Sequence, residues 1–158
     1  MTLANQKRPV DLALPKLDDF LCFATYSANL AFNRVYKPVL DQLGLTYPQY
    51  IVLVSLYEQD DQTVSGLGDK LFLDSSTLTP LLKRMEAVGH LTRQRNPEDE
   101  RQVRVRLTPQ GRSVREKVAL ARSKLLDATG LGTADFRRLR EELVKLRANL
   151  SNAVSAKP

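Results

Sequence analysis

The chain has 158 residues, of which 42% are hydrophobic and 27% are charged, with a net charge of +6 and a pI of about 9.6. This length fits one domain, or one domain with helical extensions, and the composition is ordinary for a soluble globular protein. No apolar stretch approaches the roughly 18 residues that a membrane-spanning helix needs. The single cysteine, Cys22, excludes an internal disulfide and favours a reducing, cytoplasmic location, and the single histidine, His90, argues against a metal site built from His and Cys. We therefore expect no metal, no cofactor and no membrane partner.

The first part of the chain predicts two helices after a short arm. Residues 1–14 are expected to form a flexible arm. From Pro15 to about Leu43, apolar side chains recur at intervals of three or four residues, which predicts an amphipathic helix. Gly44 is expected to end this helix, unless Pro38 kinks or stops it earlier. A second helix is predicted from Thr46 to Glu58.

The next segment predicts a short helix followed by a longer one. Thr63 can cap a helix over 64–71, and Asp74, Ser75 or Ser76 can cap the next helix, which Gly89 should end. An apolar stripe of the longer helix is expected to face the core: Leu78, Leu81, Leu82, Met85 and Val88.

Two strands are predicted after that helix, over Leu91–Arg95 and Val103–Leu107, because apolar and charged residues alternate along the second. The tip between them, Asn96–Arg101, is polar and carries an arginine. Between Lys83 and Lys117 there are ten Lys and Arg against five Asp and Glu, so most of the net charge lies here. A helix followed by a basic hairpin is typical of a helix that enters a DNA groove beside a wing. The alternative is an ordinary amphipathic surface helix with a good cap.

The predicted DNA contacts fall into two groups. Small hydroxyl residues at the helix start leave room for phosphates and base edges, whereas basic residues bind phosphates with little sequence choice. Arg101 at the hairpin tip is a candidate for the minor groove, and it can also pair with Asp99. The full candidate set is Ser75, Ser76, Thr77, Thr79, Pro80, Lys83, Arg84, Arg93, Arg95, Asp99, Arg101 and Gln102.

The last part of the chain predicts two more helices. Thr108-Pro109 is typical of a helix start, and that helix is expected to run to Thr129, before a glycine-rich break. A final helix is predicted from Thr133 to Leu150, because its apolar residues lie three or four positions apart.

Together these elements predict one domain over 15–158, mainly α with a small β-hairpin. Residues 46–107 are expected to form a winged helix-turn-helix DNA-binding region. The long helices at 15–45 and 108–150 carry apolar stripes that so small a core cannot fully bury, so they are expected to form a dimerisation region.

Cys22 lies on a polar stripe of the first predicted helix. A lone helical cysteine is commonly a small buried hydrophobe, but here Tyr26 lies one turn away and Tyr36 fourteen residues on. Phenol hydroxyls can stabilise a thiolate, which makes Cys22 a candidate reactive thiol. Fourteen helical residues span about 21 Å, so Tyr36 can meet Cys22 only from a second subunit, whereas Tyr47 can come from either.

Several motifs resemble the MarR family of bacterial winged-helix regulators and, more narrowly, its organic-hydroperoxide-sensing (OhrR) branch. They are LCFATYSAN at 21–29, LTYPQY at 45–50, LDSSTLTPLLKRME at 73–86 and DERQV at 99–103. The resemblance implies a homodimer that represses transcription from a pseudo-palindromic operator, with Cys22 as the peroxidatic thiol. It also implies that Tyr36 and Tyr47 of the partner subunit hydrogen-bond the Cys22 thiolate, and that Tyr26 lines the same site.

One departure from that family concerns the fate of oxidised Cys22. Some members have a second cysteine after the wing, which forms an intersubunit disulfide, but the corresponding stretch here, SKLLDATGLG, has none. The Cys22 sulfenate must then become a mixed disulfide with a low-molecular-weight thiol, a cyclic sulfenamide, or sulfinic and sulfonic acids. We expect the mixed disulfide as the reversible inducing form.

The leading hypothesis is therefore a transcriptional repressor, not an enzyme, that leaves operator DNA when organic hydroperoxides oxidise Cys22. The alternative is a repressor of the same family that is released by a reversibly bound phenolic or apolar ligand. Two hypotheses from other classes are a thiol peroxidase, which would turn over repeatedly with a reductant, and an architectural DNA protein, which would show no operator preference.

Overall fold

The computed structural model describes residues 15–155, so the arm predicted at 1–14 lies outside the described residues. A short 3-10 helix, Leu17–Asp19, precedes the main elements. The helices are α1 (Leu21–Leu43), α2 (Tyr47–Glu58), α3 (Val64–Leu71), α4 (Ser75–Val88), α5 (Pro109–Ser113), α6 (Arg115–Thr129) and α7 (Thr133–Ser155), and the strands are β1 (Gln62–Thr63), β2 (Leu91–Asn96) and β3 (Asp99–Leu107). This mainly helical fold with a small sheet confirms the predicted fold class. None of the helices between residues 15 and 155 is long and apolar enough to cross a membrane.

Local sequence explains most of the helix ends. α1 runs through Pro38 and ends at Gly44, which adopts the left-handed conformation with φ 64°. Asp74 caps α4 by accepting a hydrogen bond of 2.8 Å from a backbone amide in the first turn, and Gly89, with φ 91°, ends that helix. These ends were predicted, whereas α1 begins at Leu21, later than predicted, after the 3-10 turn.

The predicted hairpin is the larger part of a three-stranded antiparallel sheet with the order β1-β3-β2. In the hairpin, Leu91 of β2 lies opposite Leu107 of β3. On the other side of β3, Gln62 of β1 lies opposite Val105. The sequence did not predict β1, because two residues are too few for an alternating pattern to be recognised.

The core lies between α2, α3, α4 and the sheet. The largest fully buried side chains are Val52, Leu53, Leu56, Leu67, Leu78, Leu82, Met85, Leu91 and Val105. α4 is therefore held by its apolar face, and Lys83 and Arg84 lie exposed on the opposite face. The buried stripe predicted for α4 is wrong only at Val88, which is 53% exposed, because it is the last residue before the chain turns at Gly89.

The single helix predicted over 108–129 is wrong, because the chain is divided at Val114 into α5 and α6. The hydroxyl of Tyr57 donates a hydrogen bond of 2.6 Å to the carbonyl of Gly111. In an unbroken helix that carbonyl would accept a hydrogen bond from the amide of Arg115, four residues on. A tertiary contact with α2 thus takes the place of one helical hydrogen bond.

Apolar side chains of α1 and α7 remain exposed in the single chain. Within residues 15–155, α7 contributes no buried residue, and α1, α6 and α7 line an apolar groove of about 660 Å³. The exposed apolar side chains include Leu21, Leu30, Phe32, Val35, Leu139, Leu143, Val144, Leu150 and Val154.

Candidate functional site

The start of α4 carries the hydroxyl residues that were predicted to contact DNA. Ser75, Ser76, Thr77 and Pro80 are exposed, and Thr79 is half-buried. The Ser76 hydroxyl donates a hydrogen bond of 2.6 Å to the Asp74 carboxylate, which also accepts one of 2.8 Å from the Thr77 amide. These hydrogen bonds lower the pKa of Asp74, so the helix cap stays ionised near neutral pH.

The wing consists of β2, β3 and the turn between them. At its tip, the side chain of Arg101 is 90% exposed, and its guanidinium lies 3.0 Å from the Asp99 carboxylate. The amide of Gln102 donates to the same carboxylate at 3.3 Å. The predicted pairing of Arg101 with Asp99 is therefore observed, and it leaves Arg101 at the solvent surface, where Arg95 is also exposed.

Arg93 differs from the other predicted DNA contacts, because it is tied to Glu86 of α4. One Glu86 oxygen accepts a hydrogen bond from the Arg93 amide (2.8 Å), and the other accepts two from its guanidinium (2.8 and 2.9 Å). Only 22% of the Arg93 side chain is exposed, and its hydrogen bonds lower the pKa of Glu86. Arg93 thus fixes the wing to α4.

Two adjacent acids hold the base of the wing. Asp61 pairs with Arg104 (2.7 Å) and Arg106 (2.9 Å), and Asp60 pairs with Arg112. This aspartate clamp (Asp60 and Asp61) was not predicted, although an Asp-Asp pair after a helix is a signal that could have been followed. Three of the ten basic residues counted between 83 and 117 are thus paired with two acids from outside that segment, which offset two of their three positive charges. The positive charge available to DNA is smaller than the sequence count suggests.

Asp61→Asn is expected to lower the thermal stability of the protein at pH 7, and the difference from the wild type should shrink under acid. Hydrogen bonds from Arg106 and Arg104 hold the pKa of Asp61 well below its usual value. The stabilisation is therefore present above the unfolded value of about 3.9, and it is lost as the pH falls through the lowered folded value. Thermal melts between pH 7 and pH 2 measure this. Asp69→Asn is the control, because Asp69 is exposed and has no ion pair among residues 15–155. A difference in melting temperature between Asp61→Asn and the wild type that stays constant with pH would contradict the expectation.

Three tyrosines meet where α1 packs against α2. The ring centroids of Tyr36 and Tyr47 lie 5.2 Å apart, those of Tyr36 and Tyr50 5.1 Å, and those of Tyr47 and Tyr50 5.9 Å. Burial raises the pKa of all three phenols, so they remain protonated donors at neutral pH. Tyr36 and Tyr47 of this tyrosine cluster (Tyr36, Tyr47 and Tyr50) were predicted site residues. Tyr50 was missed because it lies in the apolar run of α2.

Cys22 lies in the first turn of α1 and is exposed, and Tyr26, one turn further on, is exposed as well. Because α1 is continuous from Cys22 to Tyr36, these two residues are about 21 Å apart along the helix axis. Within one chain, Cys22 therefore does not meet the tyrosine cluster.

A helix held by its apolar face beside a basic wing defines a winged-helix DNA-binding regulator. Comparison with protein families identifies a match to the family described as "Transcriptional regulator SarA/Rot" over residues 34–118. The chain belongs to this family of MarR-type winged-helix regulators, which confirms the resemblance inferred from its motifs.

Individual relatives agree with this assignment. The chain is 46% identical over 134 residues to the HTH-type transcriptional regulator TtmR of Methylorubrum extorquens (strain PA1), covering 85% of this chain and 69% of TtmR. It is 42% identical over 135 residues to the organic hydroperoxide resistance transcriptional regulator of Bacillus subtilis (strain 168), covering 85% and 92%. The solved structure of reduced AbfR bound to DNA, a protein of Staphylococcus epidermidis, matches with a TM-score of 0.76 and 34% identity over 87% of this chain and 94% of AbfR. The protein is thus a transcriptional regulator that binds DNA.

Proposed function

We propose that the protein is a dimeric, cytoplasmic repressor that binds operator DNA and is released when an organic hydroperoxide oxidises Cys22. The tyrosine cluster carries this proposal. Its phenols gather at one end of α1, while Cys22 lies about 21 Å away near the other end. If a second chain lays its α1 antiparallel across the first, the Cys22 of each chain meets Tyr36 and Tyr47 of the other.

The relatives support a redox role. One is named for organic hydroperoxide resistance, and AbfR has been solved in reduced, overoxidised and disulfide forms. The chain shares with them its family and fold. Its own chemistry must differ from that of a two-cysteine sensor, because Cys22 is its only cysteine.

The proposed reaction uses the phenols to stabilise the Cys22 thiolate. The thiolate sulfur attacks the terminal oxygen of the hydroperoxide and the O–O bond breaks, which leaves a sulfenic acid on Cys22. The departing alkoxide takes up a proton from water and becomes the alcohol. A low-molecular-weight thiol then attacks the sulfenic sulfur, water leaves, and a mixed disulfide remains. A thiol reductant reverses this last product to free Cys22.

Dimerisation is supported by the apolar faces that the single chain leaves exposed. Side chains of α1 and α7 flank the groove of about 660 Å³, and a second copy that packs there would remove them from water. Two recognition helices must then lie about 34 Å apart to enter successive major grooves. An adduct on Cys22 at the proposed interface would rotate the two halves and abolish that fit.

For DNA binding, we propose that α4 enters the major groove and that the wing tip reaches the adjacent minor groove. The hydroxyl residues at the start of α4 approach base edges, while Lys83, Arg84 and Arg95 bind phosphates. Arg101, held by Asp99, reaches into the minor groove. Arg93 supports this surface through Glu86 more than it contacts DNA itself.

The decisive experiment is a gel-shift titration on the DNA upstream of the protein's own gene. Reduced wild-type protein is treated with cumene hydroperoxide and a small thiol, and then with dithiothreitol, beside Cys22→Ser. We expect peroxide to weaken operator binding of the wild type by about 100-fold or more, towards nonspecific affinity. Dithiothreitol should restore binding, and the Ser variant should stay bound throughout.

Other outcomes would point to the competing functions. Release of the Ser variant by peroxide contradicts the thiol switch. Tight binding that ignores peroxide but yields to a phenolic compound would favour a ligand-released repressor. Consumption of many equivalents of peroxide per subunit with a reductant would favour a thiol peroxidase, and binding without operator preference would favour an architectural protein.

A further inference from the structure

We infer that Arg147 and Phe72 are positioning residues for operator binding. The Arg147 guanidinium of α7 packs over the Phe72 ring in the turn between α3 and α4, and this contact orients the reading head (α3, α4 and the wing) relative to the helices proposed to form the dimer. The inference rests on the proposed roles of α4 and of the groove that α7 lines, and it does not involve Cys22.

Phe72 is an unusual residue for the turn that it occupies. It directly follows α3 and has the left-handed conformation, with φ 56° and ψ 38°. Bulky residues rarely adopt this conformation, because it places Cβ close to the following carbonyl oxygen. Phe72 is also 63% exposed, so burial in the core does not offset the strain. A glycine would avoid that strain, so the local backbone geometry does not account for an aromatic residue here.

Arg147 of α7 gives the Phe72 ring a partner. Its guanidinium carbon lies 4.1 Å from the centroid of that ring, well within the roughly 6 Å at which an aromatic face attracts a cation. Arg147 is exposed and has no ion pair among residues 15–155, so no carboxylate of that range competes with the ring for the guanidinium. Over the same range α7 contributes no buried residue, so it shares no buried core with α3 or α4, and the stacked pair joins them directly.

The turn between α3 and α4 is tightly built, so the position of Phe72 is coupled to that of α4. The Leu73 amide donates a hydrogen bond of 3.0 Å to the Gly68 carbonyl. A Cβ on Gly68 would lie 2.8 Å from the Leu73 carbonyl oxygen, so the two sides of the turn are in backbone contact. Asp74, which caps α4, follows Phe72 by two residues. A displacement of Phe72 therefore moves the first turn of α4, whose hydroxyl residues are proposed to approach base edges.

Arg147 also lines the groove between α1, α6 and α7, where Leu143 lies one helical turn before it. One side chain thus belongs both to the proposed dimer interface and to the contact with the reading head. Operator binding needs two heads at a fixed separation, so a contact that restricts the rotation of each head raises the fraction of dimers that are ready to bind. One exposed cation–π contact changes that fraction by roughly two- to fivefold per head.

The test measures operator affinity by fluorescence anisotropy with the reduced, full-length protein, on the operator found by the gel-shift titration. Phe72→Leu removes the aromatic face, and Arg147→Gln removes the cation. We expect each substitution to weaken binding about threefold per head, and so about tenfold for the dimer. The double variant should bind as weakly as either single variant, because all three lack the same contact. Phe72→Tyr keeps an aromatic face and should bind like the wild type.

Phe72→Gly separates positioning from stability. Leu and Gly both lack the ring at this position, but only Gly relieves the strain of the left-handed conformation. In thermal melts, Phe72→Gly should therefore unfold at a higher temperature than Phe72→Leu, yet it should bind operator just as weakly. If Phe72 served stability alone, operator affinity would follow the melting temperature, and tighter binding by Phe72→Gly than by Phe72→Leu would overturn the inference.

Arg137→Gln is the matched control for the lost charge. Arg137 is another exposed arginine of α7, has no ion pair within residues 15–155 and does not line the groove, so this variant should bind operator like the wild type. Weak binding by Arg147→Gln beside normal binding by Phe72→Leu would overturn the inference, and so would losses that multiply in the double variant. Either result leaves the thiol switch standing, because that switch is tested by the response of Cys22→Ser to peroxide and not by the affinity of reduced protein.

Discussion

Gly111→Ala is expected to destabilise the fold by about 3 kcal/mol or more, the upper end of what overpacking costs. A Cβ at this position would lie 1.9 Å from the backbone carbonyl oxygen of His90. That carbonyl already accepts a hydrogen bond from the Thr108 amide, and the Gly111 carbonyl accepts one from Tyr57. Relief of the clash therefore requires that α5 separate from the root of the wing.

Circular dichroism melts and urea titrations measure this loss. Since the whole free energy of unfolding of a small domain is about 5–15 kcal/mol, the variant should melt well below the wild type and lose operator binding at 37 °C. Gly132→Ala is the matched control, because nothing lies within 4 Å of a Cβ built there. It should be neutral or stabilising by less than about 1 kcal/mol. Equal melting points for the two variants would contradict the close packing of α5 against His90.

Leu143→Glu is expected to convert the proposed dimer to a monomer and to weaken operator binding by about 100-fold or more, because two linked half-site contacts become one. Leu143 lies on α7, lines the groove between α1, α6 and α7, and is partly exposed in the single chain. A carboxylate buried there by a second copy would be desolvated without a partner. Within one chain it can remain in water, so the monomer itself should still fold.

Light scattering and gel shifts on one sample measure mass and affinity together. Leu120→Glu provides the control, since this exposed leucine of α6 does not line the groove. It should remain dimeric and bind operator like the wild type. A Leu143→Glu protein that is still dimeric and binds normally would show that the groove is not the dimer interface.

Some elements followed from local sequence. Thr63 caps α3 as predicted, and Asp74, one of three residues predicted as possible caps, caps α4, because a capping side chain satisfies a backbone amide only three residues away. Gly44 and Gly89 end their helices because a left-handed residue is needed there. Apolar and charged residues alternate along 103–107, and this predicted a strand of the wing because successive side chains of a strand point to opposite faces of the sheet.

Other elements depended on contacts between distant residues. The division of the helix at Val114 depends on a hydrogen bond between Tyr57 and Gly111. The aspartate clamp joins Asp61 to Arg104, so less positive charge is available to DNA than the count of basic residues suggests. The spacing of residues within one segment does not predict a contact between residues of two different segments.

The candidate sensing site has one feature that local sequence predicted and one that depended on packing between distant residues. Fourteen residues of continuous helix between Cys22 and Tyr36 were enough to predict that one chain cannot bring them together, because the rise per residue of a helix does not vary with context. That Tyr50 joins Tyr36 and Tyr47 was decided only by the packing of α2 on α1. The sequence by itself therefore determined the capped starts of α3 and α4, the glycine ends of α1 and α4, the wing and the family, which depend on local hydrogen bonds and spacing. The tertiary structure alone decided which arginines are paired with acids and which phenols meet, because those contacts form only when separate segments pack together.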